Sequence, residues 1–147
     1  MADLPMDYTT EAELVRRYGR RLLVDLTDRG DEPTGEIDAQ IVADAVTSAQ
    51  ALVDGYLANH YALPLADVPE LISTITEALA IYDLHIYDAP EKIAAGEKSA
   101  RDTLKQIGAG VIKLPIAGVE PASKPQNDVR FTERDRPFSA ETMKGWI

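Results

Sequence analysis

The sequence predicts an all-α protein: a small helical domain of four to five helices at residues 1–110 and an extended C-terminal arm at residues 111–147. Two long segments carry apolar residues at the three- and four-residue spacing of a helix, and turn-forming residues separate them. After residue 110 prolines become frequent and apolar residues sparse, which is typical of an extended segment. With 147 residues, 45% of them hydrophobic, the chain is long enough to bury one core.

Two short helices are predicted near the N-terminus. Thr10 is placed to cap the first, with Glu13 at the third helical position of a capping box. This helix is expected to end near Gly19, a hinge or C-cap. Residues 20–27 then carry three leucines on one side, which predicts a second short helix or a continuation across a kink.

The next segment, residues 28–36, is acidic and rich in turn formers. A calcium loop of the EF-hand type needs an oxygen ligand at its third position and glycine at its sixth. Counted from Asp28, these positions hold Gly30 and Pro33. We therefore interpret the segment as a solvated loop.

Residues 38–58 have the clearest helical pattern in the chain. Asp38 is placed to cap the helix. Gly55 costs about 1 kcal/mol relative to alanine in a helix interior, and a close backbone contact there would offset that cost. The apolar positions are Ile41, Val42, Ala45, Val46, Ala49, Leu52, Val53, Tyr56 and Leu57.

The corner at residues 54–65 follows, where a proline prevents the helix from continuing. We predict that its large side chains pack as a structural elbow, which fixes the angle between the 38–58 helix and the next one. The predicted elbow residues are Tyr56, Leu57, Tyr61, Leu63 and Leu65.

A central core helix is predicted from Pro69 to a break at residues 88–90, buried nearly all round. A more polar helix at residues 91–107 follows, ended by Gly108 and Gly110. The apolar positions that predict the core helix are Leu71, Ile72, Ile75, Ala78, Leu79, Ile81, Tyr82, Leu84 and Ile86.

The arm ends in large apolar side chains, and Ser139 is placed to cap a helical turn at residues 140–144. Such side chains gain nothing in a free tail, which indicates docking. Docking on another subunit or partner and docking on the chain's own body are both open. The predicted interface residues are Phe131, Phe138, Met143 and Trp146.

The sequence contains no recognisable site for chemistry. His60 and His85 are the only histidines, they lie on different predicted segments, and neither has a neighbour at metal-ligand spacing apart from scattered aspartates. We expect His85 to bond to a backbone carbonyl or an aspartate. No phosphate loop or nucleophile elbow is present. We therefore predict no catalytic residue, no metal, no cofactor and no enzymatic activity.

The formal net charge is −10, and the acid is concentrated in the predicted helical domain. Residues 1–110 carry nine Lys or Arg against twenty Asp or Glu, whereas residues 111–147 carry six against five. Tight binding to DNA needs clustered basic residues, so the excess of acidic residues disfavours such binding. It does not prevent DNA from passing the protein. No stretch approaches the roughly 20 apolar residues of a membrane span, and we expect no membrane association.

Several short motifs together resemble one protein family. They include the capped N-terminal segment, and the resemblance extends to the chain's closing residues. The others are Leu26-Thr27-Asp28-Arg29 with its acidic loop, Asp54-Gly55-Tyr56-Leu57, Tyr61-Ala62-Leu63-Pro64-Leu65 with Val68-Pro69, Tyr82-Asp83-Leu84, and Arg136-Pro137-Phe138-Ser139 to Met143-Lys144-Gly145. With these motifs the chain is similar to the phage Mu-type head-to-tail connectors of tailed phages and prophages.

The resemblance implies a helical adaptor, made in the bacterial cytoplasm, that assembles as a ring at the head–tail junction of the virion. The ring, a dodecamer by this resemblance, would lie beneath the portal protein, bind a tail or tail-completion protein, and let DNA pass without specific binding. The alternative is a small acidic binding module, either an inhibitor that mimics DNA or a regulatory partner of a basic protein.

Overall fold

The computed structural model describes residues 6–116, which form five α-helices and no strand. The predicted all-α class is therefore confirmed in this range. The predicted turn at residues 140–144 lies outside the described residues. The helices are α1 (Glu11–Tyr18), α2 (Arg20–Thr27), α3 (Ala39–Leu57), α4 (Glu70–Asp83) and α5 (Glu91–Gly108).

Helices α1 and α2 form the predicted pair. Gly19 separates them at φ 89°, in a region that favours glycine. Thr10 caps α1 as predicted, since its hydroxyl accepts a hydrogen bond from the Glu13 amide at 3.4 Å. The second half of the predicted capping box is wrong, because the Glu13 carboxylate instead accepts from the Thr9 hydroxyl at 3.2 Å.

Helix α3 matches its prediction most closely. Asp38 caps it by accepting from the amides of Gln40 and Ile41 at 3.0 and 3.3 Å. Six apolar residues at helical spacing are buried. No close backbone contact offsets the cost of Gly55 among the described residues, because a Cβ at this position would meet open space.

Helices α3, α4 and α5 pack against one another and enclose most of the core. The α1–α2 pair covers this bundle, with Leu14 and Leu23 fully buried. The segment before α1 lies along α3, where the buried Tyr8 donates its hydroxyl proton to Asp54. Desolvation by burial, together with this bond, raises the pKa of Tyr8.

Helix α4 is the central core helix, but it is shorter than predicted. It ends at Asp83, and Tyr82 and Leu71 are each 40% exposed, so the prediction of burial nearly all round is wrong. The end has a physical cause. His85 Nδ1 donates to the Ile81 carbonyl at 2.8 Å, which confirms the backbone bond predicted for this histidine. Arg29 donates to the Leu84 carbonyl at 2.7 Å, so side chains satisfy the terminal carbonyls.

Helix α5 ends at the predicted glycines, and the chain after it still packs on the body. Leu114 and Ile116 are buried in the same core as the helices. The predicted division at residue 110 remains a prediction, but the packed body continues to at least Ile116.

Candidate partner interface

An apolar groove opens between α1, α4 and α5, with a volume of about 630 Å³. We call it the α4–α5 groove. Tyr18 of α1, Leu71, Ile75 and Ala78 of α4, and Ile93 of α5 contribute apolar walls, and the cations Arg17 and Lys92 also line it. Burial raises the pKa of the Tyr18 hydroxyl in this setting. Sites of about 300–1,000 Å³ with apolar walls are typical of binding pockets.

The α5 side of the groove is built from small residues. Gly96, Ser99, Ala100 and Thr103 line it, at the spacing of one helix face. A Cβ built on Gly96 would have no atom within 4 Å. Nothing among the described residues therefore requires glycine here, although glycine in a helix interior costs about 1 kcal/mol relative to alanine.

A buried carboxylate lies at the edge of this groove. The Glu77 side chain on α4 is 3% exposed, and Arg17 Nε of α1 lies 2.5 Å from its Oε2. The contact is ionic, because among the described residues Oε2 accepts no aligned hydrogen bond. The Thr9 hydroxyl is 3.4 Å from Oε1 and 3.2 Å from a Glu13 oxygen, so two carboxylates compete for one donor.

The pKa of Glu77 is raised above its ordinary value of 4.5, mainly by desolvation and further by the Glu13 charge, while Arg17 opposes the shift. Because the folded state binds this proton more tightly than the unfolded chain, the stabilisation is fully present below pH 4.5 and is lost as pH rises through the raised pKa. We expect the Glu77→Gln variant to gain stability relative to the parent as pH rises from 4 to 7. Urea unfolding across this range at about 25 °C measures the difference.

The matched variant Arg17→Gln should behave in the opposite way. It leaves the Glu77 carboxylate buried and unpaired, which should cost about 1–3 kcal/mol at neutral pH. The value should lie toward the lower end, because the Arg17 side chain is 40% exposed. The cost should shrink at pH 4 as Glu77 becomes protonated. A pH-independent difference for both variants would contradict the assignment of Glu77.

The corner at residues 54–65 contacts the end of α5 and the chain that follows it. The Tyr61 hydroxyl accepts a buried hydrogen bond from the Leu114 amide at 2.9 Å. His60 Nε2 donates to the Gly108 carbonyl at 2.7 Å. Gly108 packs on Tyr56, where an added Cβ would lie 3.3 Å from the ring. The corner therefore holds the end of α5, and the chain after it as far as Leu114, against the body.

Four of the five predicted elbow residues pack into this corner. Leu57, Tyr61 and Leu65 are buried, and Tyr56 is half-buried against the core. The prediction for Leu63 is wrong, because its side chain is 37% exposed. The backbone bends at Leu63 and Pro64, and residues 62–64 are exposed between the buried Tyr61 and Leu65.

The motif at residues 26–29 joins three parts of the body. The Thr27 hydroxyl donates to the Leu23 carbonyl and accepts from the Asp38 amide, which connects α2 to the start of α3. The exposed Asp28 carboxylate accepts from the Thr34 and Gly35 amides, each at 2.9 Å at its shortest, and these bonds lower its pKa. Arg29 reaches the end of α4 as described above. The contacts of this motif therefore stabilise the fold.

A second apolar surface lies at the turn between α4 and α5. Tyr82, Ile86 and Tyr87 are 40%, 63% and 88% exposed, and they surround a concavity that the polar His85 and Asp88 also line. We call the three exposed apolar side chains the apolar tip. Large exposed apolar side chains with a polar surround are typical of interaction sites.

The predicted interface residues of the arm lie outside the described residues. They are Phe131, Phe138, Met143 and Trp146. Sequence reasoning missed both the groove and the buried Glu77. The groove has no local signal, because three helices form it, whereas Glu77 was detectable as the only charged residue between Leu71 and Tyr82 of the predicted core helix.

Within residues 6–116 no three His, Asp or Glu side chains are grouped so that they could hold a metal ion. None of the five helices combines the length and the apolar character needed to cross a bilayer.

Fold and surfaces together define a small helical protein with two open apolar faces, and comparison with known proteins gives its family. The chain belongs to the phage family described as Bacteriophage Mu, Gp36, whose model matches residues 8–133. The match contains all five helices. A relative is gene product J of Escherichia phage Mu, which is 30% identical over 142 residues, 97% of this chain and 100% of that protein. Membership points to a structural or morphogenetic role in a phage.

Proposed function

We propose that this protein is the head-to-tail connector of a tailed phage or prophage, a structural protein that forms a ring beneath the portal and joins head to tail. The observation that carries the proposal is the pair of open apolar surfaces, the α4–α5 groove and the apolar tip, on a small body from a phage Mu family. A subunit with two distinct apolar faces can contact a neighbour on each side, as a closed ring requires.

The charge of the chain supports the same role. DNA that passes through a connector must not be held by it, and an acidic body repels phosphate groups. The twenty acidic residues against nine basic ones in residues 1–110 provide this repulsion. The role is structural and requires no catalytic residue, metal or cofactor.

The proposed partners follow from the arrangement. One is a second copy of the chain in the ring, a dodecamer by family resemblance. The others are the portal protein above the ring and a tail or tail-completion protein below it. The protein is made in the host cytoplasm and resides at the head–tail junction of the virion.

Electron microscopy and native mass measurement of the purified protein, alone and mixed with the portal protein of the same phage, test the proposal. We expect closed rings attached to the portal. Rings that form only with the portal support it equally, because a template can be needed for assembly. A protein that binds neither portal nor tail protein would contradict it, and tight binding to an unrelated basic protein would favour the acidic binding module.

A further inference from the structure

We infer that the α4–α5 groove of one subunit receives residues 138–147 of a second copy of this chain. The inference rests on the proposed ring. The proposed function gives the groove a contact with a neighbouring subunit, and the inference names the segment of that neighbour that binds in it. The groove is apolar and about 630 Å³ in volume, and none of the described residues after α5 lines it.

The α5 side of the groove is shaped for close approach. Gly96 lines the groove at a position where the described residues leave open space, and the neighbouring Ser99 and Ala100 are also small. Glycine at a helix surface lets another backbone or a large side chain come near. A partner that fills this space would account for a glycine that the body itself does not need.

The sequence of residues 138–147 fits such a space. With Ser139 as N-cap, Phe138 and Met143 occupy the positions of a hydrophobic staple. Trp146 and Ile147 follow Met143 at spacings of three and four, so the pattern predicts one continuous apolar face. An amphipathic helical segment laid into an apolar groove is a common mode of peptide recognition.

Chain length permits docking on a neighbour. Between Ile116, the last described residue, and Phe138 the chain can span up to about 70 Å at roughly 3.3 Å per residue. A domain of about 100 residues has a radius of gyration near 13 Å, so this span exceeds its diameter. The α5 wall of the groove runs from Lys92 to Thr103, and none of the described residues between the end of α5 and Ile116 lines it. Two separate surfaces of this kind produce a head-to-tail contact that continues around a ring.

The chain provides its own probe, because Trp146 is its only tryptophan and it has no cysteine. The acceptor chain carries Ser99→Cys with a nitroxide label together with Trp146→Phe, so it holds the quencher and no tryptophan. The donor chain is the unlabelled full-length parent. Mixing the two should quench the fluorescence of Trp146. An acceptor labelled at Ala51→Cys, an exposed position on α3 away from the groove, should not quench it.

Filling the groove gives a matched pair of variants. Gly96→Leu in the acceptor adds a bulky side chain to the groove and should weaken quenching at least about fivefold. Gly96→Ala adds only a methyl group and should weaken quenching less than Gly96→Leu does. Both replace glycine by a better helix former, so loss of folding cannot explain the difference.

Quenching only when label and tryptophan are on the same chain would overturn the inference in favour of docking within one chain. Absence of quenching, or equal quenching by the two labelled positions, would also overturn it. Ring formation is scored separately by microscopy. Rings without quenching would contradict docking in the groove but would agree with the connector function. Quenching without rings or portal attachment would agree with docking in the groove but would contradict the connector function.

Discussion

The Tyr61→Ala variant is expected to lose about 3–5 kcal/mol of the free energy of unfolding, the range for removing a buried aromatic side chain. Tyr61 is only 7% exposed, and its hydroxyl accepts the hydrogen bond of the Leu114 amide. Its removal empties the corner and leaves that amide without its partner. Urea unfolding followed by circular dichroism measures the loss.

Two neighbouring variants separate the causes. Tyr61→Phe keeps the ring and removes only the acceptor for the Leu114 amide, so it should cost about 1–3 kcal/mol. Leu63→Ala should change stability by no more than about 0.5 kcal/mol, because this side chain lies at the surface. A Tyr61→Ala protein as stable as the parent would show that the corner is not part of the core.

The same corner shows what the sequence can and cannot predict. Helix α3 was predictable because nineteen residues repeat one spacing, and each apolar position supports the others. Residues 61–65 have no such repeat, so nothing local distinguishes the buried Tyr61 from the exposed Leu63. Bends in the backbone decide which side chains of this segment are buried and which are exposed.

The end of α4 was not predictable for a different reason. Apolar residues continue to Tyr87, which favours a longer helix. Arg29, 55 residues earlier in the chain, bonds to the Leu84 carbonyl and helps to end the helix there. A contact of this separation is invisible to a window of neighbouring residues. Ile86 and Tyr87 therefore become surface residues of the apolar tip.

The α4–α5 groove was not predictable for both of these reasons: it has no repeating pattern, and residues far apart in the chain form it. Its walls come from three helices, and its open side is defined by the small residues of α5. Periodicity identified the helices but not the gap between them. The buried Glu77 was within reach of sequence reasoning, because it is the only charged residue between Leu71 and Tyr82 of the predicted core helix, and a buried charge needs a partner.

Deletion of residues 117–147 is expected to leave the body folded and to abolish attachment to the portal and to neighbouring subunits. The last buried residue described is Ile116, so the deletion keeps the known core intact. Aromatic anchors at interfaces commonly contribute about 2 kcal/mol or more each. Loss of several should weaken assembly by at least about a hundredfold.

Circular dichroism and urea unfolding of the truncated protein supply the control for folding, and binding to the purified portal measures the effect. The full-length variants Phe138→Ala and Trp146→Ala should each reproduce part of the loss, since they remove one anchor without shortening the chain. Virions from infected cells provide the decisive comparison. If particles carrying the truncated protein assemble as well as those with the parent, residues 117–147 are not the contact, and surfaces of the body itself must supply it.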